Sequence, residues 1–496
     1  MNHLNLNNKA LAAAVALAFS AASGSAFAYS FSDGGYTAAN TAVVNISGSS
    51  ATNGQTKAWA QSVLCNTTNQ VTYTRTDSNH FAIVCTPKPG VVTLSAGKTQ
   101  IAVVKNSNGG SGNGISKLAG GSGTLQYINV FQANPATGAL GTAVGSNIGV
   151  SDEEPDLLLA AGAVTGGKPA GLVSTALNVV TFGTPVTLGL RNALQTAQIA
   201  SGKLDPSCTA GNETEACMPS LSQSQIASIF GGNLVGWSEL GLSPADDTVY
   251  VARRPISSGT QAAARVFFLN EPCAANMAQF VPGDSGESGS KADACNFAVA
   301  PGGRVFEGSG GGNVATCLTN HERNGRFAIG INSLELPSTT DTSVAYAIGG
   351  GAATGGPALF NKDYQRHIKI EGYAPTTFNA ATGRYRFWFE ATMNTTPASL
   401  TADAAALQAA MVAGFNDPAV LAPLNNTFNT TALLHAAGDV NLDAGILAPV
   451  LAGTPANPAT EADTHATPLM YYTHAVSGTP NSCQPAMSYH ATGVNP

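Results

Sequence analysis

The sequence predicts an α/β protein with mostly parallel sheets. Short apolar runs alternate with helix-compatible segments, and most turns between them are rich in glycine, serine and threonine. This alternation is typical of units in which helices cover the faces of a parallel sheet. A length of 496 residues is too great for one small core and indicates two or three folded lobes.

The N-terminal segment has the layout of an export signal. Lys9 precedes an apolar run over 10–19, and residues 25–28, Ser-Ala-Phe-Ala, match the small-x-small site of a signal peptidase. We therefore expect cleavage after Ala28 and a periplasmic or secreted protein. No later run reaches about twenty apolar residues, so the sequence predicts no insertion into a membrane.

Charged residues are sparse. They make up 10% of the chain, against about a quarter in an average soluble domain, and the formal net charge is -7. No run of lysine or arginine occurs. These properties argue against nucleic acid as a partner.

Eight cysteines in an exported chain predict disulfides. The spacing favours two local bridges, Cys65–Cys85 between strand-like runs and Cys208–Cys217 around a short loop. Zinc is disfavoured as the alternative because no Cys-x-x-Cys spacing occurs. The sequence leaves open how the other four cysteines pair: Cys273, Cys295, Cys317 and Cys483.

The first part of the chain predicts strands joined to helices by small-residue turns. The strand-like runs are 42–46, 71–74, 81–84, 100–105, 127–131 and 147–150, and helical patterns follow at 58–64 and 115–118. The segment 108–114, NGGSGNG, fits either a flexible linker or the turn of a strand–turn–helix unit. An acidic turn, 151–156, could also be an ordinary helix start.

The later part continues the pattern with longer irregular segments. The apolar run 176–188 suits a connection from one lobe into another. Strands are predicted at 249–252 and 327–332, and helices at 221–230, 261–269, 404–415 and 432–437. The segment 285–313 is rich in glycine and serine and predicts a loop, and the tail from 453 is rich in proline and threonine.

The turn at 253–260, RRPISSGT, contains the strongest candidates for ligand-binding residues. It follows a strand-like run and precedes an alanine-rich helix, so free N–H groups and the positive end of the helix dipole point out of it. Arg254 can bind two oxygens of a tetrahedral oxyanion through its planar guanidinium. Taken alone, the turn fits an ordinary helix cap with solvated arginines better than an anion site.

Three further turns repeat this chemistry. The four occur in the order 47–52 (SGSSAT), 110–114 (GSGNG), 149–152 (GVSD) and 254–260 (RPISSGT). In that order they resemble the phosphate-binding proteins of phosphate ABC transporters and the related DING proteins. The segments 221–238, 267–270 and 368–376 extend the resemblance. It implies the type 2 periplasmic binding protein fold, an α/β chain of two hinged lobes with a ligand cleft between mixed sheets.

The resemblance also implies which residues contact the ion in the first lobe. Ser50 and the N–H of Ala51 would hold one phosphate oxygen, with Thr52 as the competitor if the match is displaced by a step or two. Ser111 would donate from the second turn. Asp152 would accept the proton of the bound ion.

On the other side of the cleft, Arg254 would bind two oxygens, and the helix start would donate through Ser258, Gly259 and Thr260. Asp152 then decides between ions. A carboxylate repels an anion unless the anion donates a hydrogen bond to it, and phosphate near neutral pH carries a proton whereas sulfate does not. An unpaired buried polar contact costs about 1–3 kcal/mol. Asp152 therefore predicts phosphate in preference to sulfate.

The implied division of the chain is a signal peptide over 1–28, a first lobe over 29–178, a second lobe over 179–338, a return to the first lobe over 339–400 and a C-terminal extension over 401–496 packed on the first lobe. Connections near 176–184 and 335–342 would act as hinges. An ABC permease is the protein partner that the resemblance implies. The segments 285–313 and 400–496 have no counterpart in the family.

Other functions fit the sequence less well. The segment 439–445 resembles a calcium loop, but its glycine is one place late and Val450 stands where a bidentate glutamate belongs. The glycine-rich turns lack the Gly-Lys-Ser/Thr ending of an ATP site, and the histidines are scattered. We therefore predict no cofactor, no metal and no enzyme activity. A secreted phosphatase-like enzyme on the same fold and a structural surface or matrix protein are the alternatives.

Overall fold

The computed structural model of the chain describes residues 35–494 except 76, 78, 133–136, 213, 287–294, 296–302, 335–364, 429–445, 450–468, 477–478 and 491–492. Four predicted features lie outside the described residues: the signal peptide, the hinge at 335–342, the helix at 432–437 and the calcium-like segment at 439–445. No helix among the described residues has the length and hydrophobicity that a membrane crossing requires.

Strands and helices alternate through most of this chain. The strands are β1 (Thr41–Gly48), β2 (Cys65–Thr74), β3 (His80–Pro87), β4 (Gln100–Asn106), β5 (Ile148–Ser151), β6 (Val173–Gly183), β7 (Pro185–Thr187), β8 (Ser220–Leu221), β9 (Tyr250–Arg253), β10 (Ser285–Gly286), β11 (Val305–Glu307), β12 (Ala328–Gly330), β13 (Asn332–Ser333), β14 (Gln365–His367), β15 (Lys369–Ile370), β16 (Trp388–Thr395), β17 (Ile446–Pro449), β18 (Leu469–Met470), β19 (Tyr472–Thr473), β20 (Ala475–Val476), β21 (Thr479–Pro480), β22 (Met487–His490) and β23 (Gly493–Val494).

The helices are α1 (Asn53–Trp59), α2 (Gly110–Ser116), α3 (Pro155–Ala160), α4 (Leu188–Ala200), α5 (Gln223–Phe230), α6 (Gly259–Leu269), α7 (Gly311–Arg323), α8 (Thr377–Ala381), α9 (Ala402–Phe415) and α10 (Pro418–Phe428). A π-helical turn over Ala60–Leu64 extends α1, and a 3-10 turn lies at Trp237–Leu240.

The first lobe is built on a mixed sheet in the order β18-β17-β6-β16-β5-β1-β4-β3-β2, with β13 on β6. Within it β1 is parallel to β4 and β5, whereas β16 is antiparallel to β5 and β6. Every residue of β4 is buried. Burial on both faces explains why such a strand is an almost continuous apolar run in the sequence.

The second lobe is built on a smaller sheet in the order β10-β11-β9-β12-β7-β14. Here β9 is parallel to β11 and β12, and β14 is antiparallel to β7. α7 packs on β7, β9 and β12. Two mixed sheets with helices between their strands confirm the predicted fold class.

Two adjacent crossings join the lobes. β6 continues into β7 at Thr184, and β12 continues into β13 at Ile331, and both linking residues are buried. Asn332 pairs with Gly183, so the two crossings run side by side in opposite directions. His367 of β14 packs against Gly183, where an added Cβ would lie 2.4 Å from the ring Nδ1. The connection predicted at 176–184 thus ends at the first crossing.

The strand predicted at 127–131 does not form. Ile128 makes only an isolated bridge to Leu140. Tyr127, Ile128 and Val130 are instead buried in an apolar cluster that includes Tyr73 of β2. The apolar residues of this segment are therefore required for packing and not for a strand ladder.

All eight cysteines are paired. The structure joins Cys65 to Cys85 and Cys208 to Cys217, the two pairs that the spacing favoured. The other four form Cys295–Cys317 and Cys273–Cys483, and the latter bond connects residues 210 positions apart.

The C-terminal segment 469–490, called the tail strap below, contacts both lobes. Its first strand, β18, pairs with β17 of the first sheet. Glu390 of β16 accepts hydrogen bonds from the N–H of His474 at 2.7 Å and from the Thr473 hydroxyl at 2.8 Å. Further on, Cys483 is bonded to Cys273, which follows α6 of the second lobe.

Candidate functional site

Three turns of the first lobe meet at the carboxyl ends of parallel strands. β1, β4 and β5 each continue into a helix, α1, α2 and α3 respectively. The carboxyl ends of adjacent parallel strands lie at one edge of a sheet, where ligands bind in α/β proteins. The turns approach each other closely there, because a Cβ on Gly149 would lie 1.5 Å from the carbonyl oxygen of Gly114. A Cβ on Gly48 would lie 2.0 Å from that of Val150.

The glycine-rich segment at 108–114 is largely helical. Gly109 and Gly110 have φ angles of 78° and 66°, in the left-handed region that glycine adopts readily. The chain therefore turns sharply and enters α2 at Gly110, not at Ile115 as the sequence pattern predicts. Ser111 is fully buried in the first turn of this helix, which excludes the flexible linker.

The turn before α6 closes on this edge from the second lobe. Ser258 is the N-cap of α6, and the N–H of Gly112 donates to the carbonyl oxygen of Ser257 at 3.0 Å. A Cβ on Gly259 would lie 2.3 Å from the Ser111 hydroxyl oxygen and 2.5 Å from Oδ2 of Asp152. The N-terminus of α6, where the dipole is positive, therefore faces the first lobe directly.

Asp152 lies at the centre of these contacts. Its carboxylate accepts hydrogen bonds from the Ser49 hydroxyl at Oδ1 and from the Thr260 hydroxyl at Oδ2, the second at 3.4 Å. Its backbone N–H donates to the Ser111 hydroxyl at 3.0 Å. The side chain is 1% exposed, so an ion that contacts it is removed from water.

Arg254 extends from the second lobe to the first. Nη1 donates to the Ser50 hydroxyl at 2.8 Å, Nε donates to the carbonyl oxygen of Gly308 at 3.0 Å, and Nη2 donates to that of Ser309 at 2.6 Å. The arginine is buried. Its guanidinium plane is thus fixed by two carbonyl groups while one edge faces the turn after β1.

The structure brings together most of the predicted site residues. The contacts above join Ser50, Ser111, Asp152, Arg254, Gly259 and Thr260. Ser258 lies against the second turn, since a Cβ on Gly110 would be 2.9 Å from its Cα. Ala51 and Thr52 are buried beside Ser50, and the Thr52 hydroxyl donates to the Ser49 carbonyl oxygen at 3.0 Å. Thr52 thus stabilises its own turn.

Several solved structures are similar to this chain. A substrate-binding protein assigned to a phosphate ABC transporter of Clostridium perfringens, solved with bound phosphate, is 13% identical with a TM-score of 0.41, over 78% of this chain and 98% of its own. An ABC-type phosphate transport receptor from Vibrio cholerae is 13% identical with a TM-score of 0.35, over 74% and 93% respectively. A DING protein is 14% identical with a TM-score of 0.36, over 88% and 99%.

No protein-family model and no curated protein matches the chain.

Two residues of the site, Ser49 and Lys105, were not among the predicted site residues. Ser49 donates to Asp152, and its hydroxyl oxygen accepts from the N–H of Thr52 at 3.2 Å. Lys105, at the end of β4, is fully buried and donates to the carbonyl oxygens of Gly48 at 3.0 Å and Ser49 at 2.8 Å. One sequence feature could have indicated a role for Lys105. It is a single lysine directly after the apolar run IAVV, and a charged residue in a buried strand is rare unless a partner compensates its charge.

The segment predicted as a loop at 285–313 contains another part of the site. Val305–Glu307 forms β11 beside β9, and α7 begins at Gly311. The turn between them supplies the carbonyl groups of Gly308 and Ser309 that hold Arg254. Composition alone missed this strand because it is only three residues long and lies between two glycine-rich stretches.

Burial changes the proton affinities of the charged groups at this site. It raises the pKa of Asp152, and the Ser49 hydrogen bond and the charges of Arg254 and Lys105 oppose that change. Burial also lowers the pKa of Lys105 to about 7, against the attraction of Asp152. The adjacent Glu153 is fully buried, and burial together with the charge of Asp152 raises its pKa well above the ordinary value. Both effects favour the neutral form of Glu153.

The described residues contain one close group of possible metal ligands, Cys295, Cys317 and His321. The two cysteines are bonded to each other, so their sulfur atoms are not thiolates. Zinc binding through thiolates requires free cysteines, and this group does not provide them.

Proposed function

We propose that this chain binds inorganic phosphate between its two lobes. The observation that carries the proposal is the direct contact of Asp152, in the first lobe, with the N-terminus of α6 in the second, within hydrogen-bonding range of the Thr260 hydroxyl. A buried acceptor thus lies among hydroxyl groups, helix N–H groups and a guanidinium. This set is complementary to an oxyanion that carries one proton.

The two lobes contribute different chemistry. The first lobe supplies the hydroxyl groups of Ser50 and Ser111 and the acceptor Asp152, and the second supplies Arg254 and the start of α6. An ion held by both sets stabilises the closed arrangement, because each lobe alone leaves part of the ion in water. In this closed arrangement Arg254 and Ser50 bond to each other, and we expect the bound ion to replace that bond.

Titration calorimetry with phosphate and with sulfate tests the proposal. We expect the protein to bind phosphate and to exclude sulfate, because sulfate presents only lone pairs to Asp152. Asp152→Asn can donate a hydrogen bond as well as accept one, so this variant should lose part of its phosphate affinity and gain sulfate affinity. Arg386→Ala, an exposed position, is the matched control. Equal affinity of the natural protein for both ions would contradict the proposal.

Export and delivery are further parts of the proposal. We expect the chain to be cleaved after Ala28 and to act outside the cytoplasm, either delivering phosphate to an ABC permease or scavenging it. N-terminal sequencing of the secreted protein should return Tyr29 as the first residue. Phosphate uptake by cells that lack the protein, compared with cells that express it, separates delivery from scavenging.

Hydrolysis has less support than binding. Among the described contacts of Ser49, Ser50, Ser111 and Ser258, none involves a histidine that could activate the hydroxyl as a nucleophile. Turnover of a chromogenic phosphoester that Asp152→Ala abolishes would favour the enzyme. Binding without turnover is the expected result.

A further inference from the structure

Lys105 is a buried cation directly beneath the turn that follows β1. Its side chain has no exposure, and its ammonium group donates to the carbonyl oxygens of Gly48 and Ser49 at 3.0 and 2.8 Å. Burying an ammonium group is costly unless hydrogen bonds and an opposite charge compensate it. The two carbonyl groups supply hydrogen bonds but no charge. The compensating charge must come from a nearby carboxylate.

Asp152 is that carboxylate. The Ser49 residue whose carbonyl oxygen accepts from Lys105 also donates its hydroxyl to Asp152, so one residue connects the cation to the anion. The attraction acts in both directions: the charge of Asp152 raises the pKa of Lys105, and the charge of Lys105 lowers that of Asp152. The other ionisable groups around Asp152 among the described residues are Arg254 and Glu153, and burial together with the charge of Asp152 raises the pKa of Glu153, which favours its neutral form.

The two cations differ in the lobe to which they belong. Arg254 is in the second lobe, directly after β9, and moves away from Asp152 when the lobes separate. Lys105 is on β4, which pairs with β1 of the first sheet, and stays beside Asp152 in any arrangement of the lobes. When the lobes are apart, Lys105 is therefore the cation that remains beside Asp152.

We propose that Lys105 is a specificity-determining residue of this site, whose ammonium group keeps Asp152 an acceptor so that only a protonated oxyanion is accepted. This inference depends on the proposed phosphate function and deepens it. Without Lys105, burial favours the neutral carboxylic acid at Asp152. A neutral acid donates a hydrogen bond, and it can then donate to sulfate as readily as to phosphate.

The test compares two variants with a control. Lys105→Met removes the charge and the hydrogen bonds, Lys105→Gln removes the charge but keeps a donor, and Lys203→Met changes an exposed lysine beyond the end of α4. Calorimetry at pH 6 with phosphate and with sulfate gives the ratio of the two affinities. We expect both Lys105 variants to lower this ratio by at least about tenfold, the change that a one-unit pKa shift produces. The control should leave it unchanged.

A spectroscopic measurement applies to the unaltered protein. With aspartate labelled at the carboxyl carbon, the NMR signal of Asp152, identified by its loss in Asp152→Asn, should show an ionised group at pH 6 in the absence of phosphate. In Lys105→Gln it should show a protonated one. If the variants do not fold, the signal in the natural protein decides, and a protonated Asp152 there overturns the inference.

The outcomes separate the inference from the proposed function. If the natural protein binds neither ion, the phosphate function fails. If it binds phosphate selectively and both Lys105 variants keep that selectivity, the function stands and the role of Lys105 is wrong.

Discussion

Arg254 donates from Nη1 to the hydroxyl oxygen of Ser50 at 2.8 Å, and this hydrogen bond crosses from the second lobe to the first. The guanidinium also donates to the carbonyl oxygens of Gly308 and Ser309, both within the second lobe. One side chain is thus anchored in its own lobe and directed at the other. Its orientation is fixed before an ion arrives, which lowers the entropy cost of binding.

Replacing Arg254 should weaken phosphate binding strongly. Arg254→Ala removes charge-assisted bonds in a buried site, and we expect a loss of about 2–5 kcal/mol in binding free energy. Arg254→Lys should also bind weakly, because an ammonium group cannot hold both carbonyl groups and direct two further N–H groups at an ion. Calorimetry measures both changes, and Arg386→Ala serves as the exposed control. Natural affinity in Arg254→Ala would exclude this residue from the site.

Gly259→Ala should disrupt the closure of the lobes. Alanine normally stabilises a helix relative to glycine by about 1 kcal/mol, but the added Cβ would lie 2.3 Å from the Ser111 hydroxyl oxygen and 2.5 Å from Asp152 Oδ2. We therefore expect phosphate affinity to fall while the thermal stability of the unliganded protein changes little.

Gly141→Ala is the matched control for Gly259→Ala, since its Cβ would meet Asn129 at an ordinary 3.6 Å. If Gly259→Ala binds phosphate as tightly as the natural protein does, α6 does not face the ion closely.

The Cys273–Cys483 bond should restrict opening of the lobes. Ser482 donates to the Glu154 carboxylate through its N–H at 2.9 Å and its hydroxyl at 2.6 Å, and the next residue is covalently bonded to the second lobe. The tail strap therefore ties the segment just after Asp152 to the end of α6. We expect Cys273→Ala/Cys483→Ala to release phosphate faster and to show a larger radius of gyration in X-ray scattering without phosphate.

The double variant Cys208→Ala/Cys217→Ala is its control, because that bond lies within the second lobe and spans nine residues. On a chain-entropy basis the longer link stabilises by about 5 kcal/mol and the shorter by about 3 kcal/mol. Both variants should therefore unfold more easily, but only the first should change the release rate. Equal release rates would show that the tail strap does not limit opening.

Acidification should destabilise the protein through His367. Burial lowers the pKa of this histidine to about 3, whereas the unfolded chain titrates near the ordinary value. Between these values the unfolded state binds more protons, so stability is fully present above about pH 6.5 and is lost as the pH falls toward 3. At pH 5 the loss from this residue should be about 2 kcal/mol.

Denaturant unfolding at pH 7.5 and pH 5 measures this effect in the natural protein and in His367→Gln. The variant loses packing against Gly183, which costs stability at both pH values, but its stability should fall less between them. The same fall in both proteins would show that His367 is not responsible.

The four turns singled out in the sequence lie together in the structure, whereas some of the segments around them differ from the prediction. Each of these turns carries several small residues after a strand, and a local pattern of that kind can be recognised in the sequence without knowledge of the fold. Lys105 and Ser49 could not be assigned, because their role depends on contacts with Asp152 from a different strand. The Cys273–Cys483 disulfide could not be predicted either, because a bond between residues 210 positions apart depends on where the tail strap packs. The strand predicted at 127–131 was wrong because apolar residues of this kind favour both a strand and burial in an apolar cluster, and the sequence pattern does not distinguish the two.

The same covalent link has a consequence for protease digestion. Cys273 and Cys483 enclose a long stretch of the chain that includes the glycine-rich turn at 308–310, between β11 and α7. A single backbone cut anywhere between the two cysteines leaves both fragments in one molecule. A nicked sample will therefore migrate as an intact chain in a denaturing gel until a reductant separates the pieces.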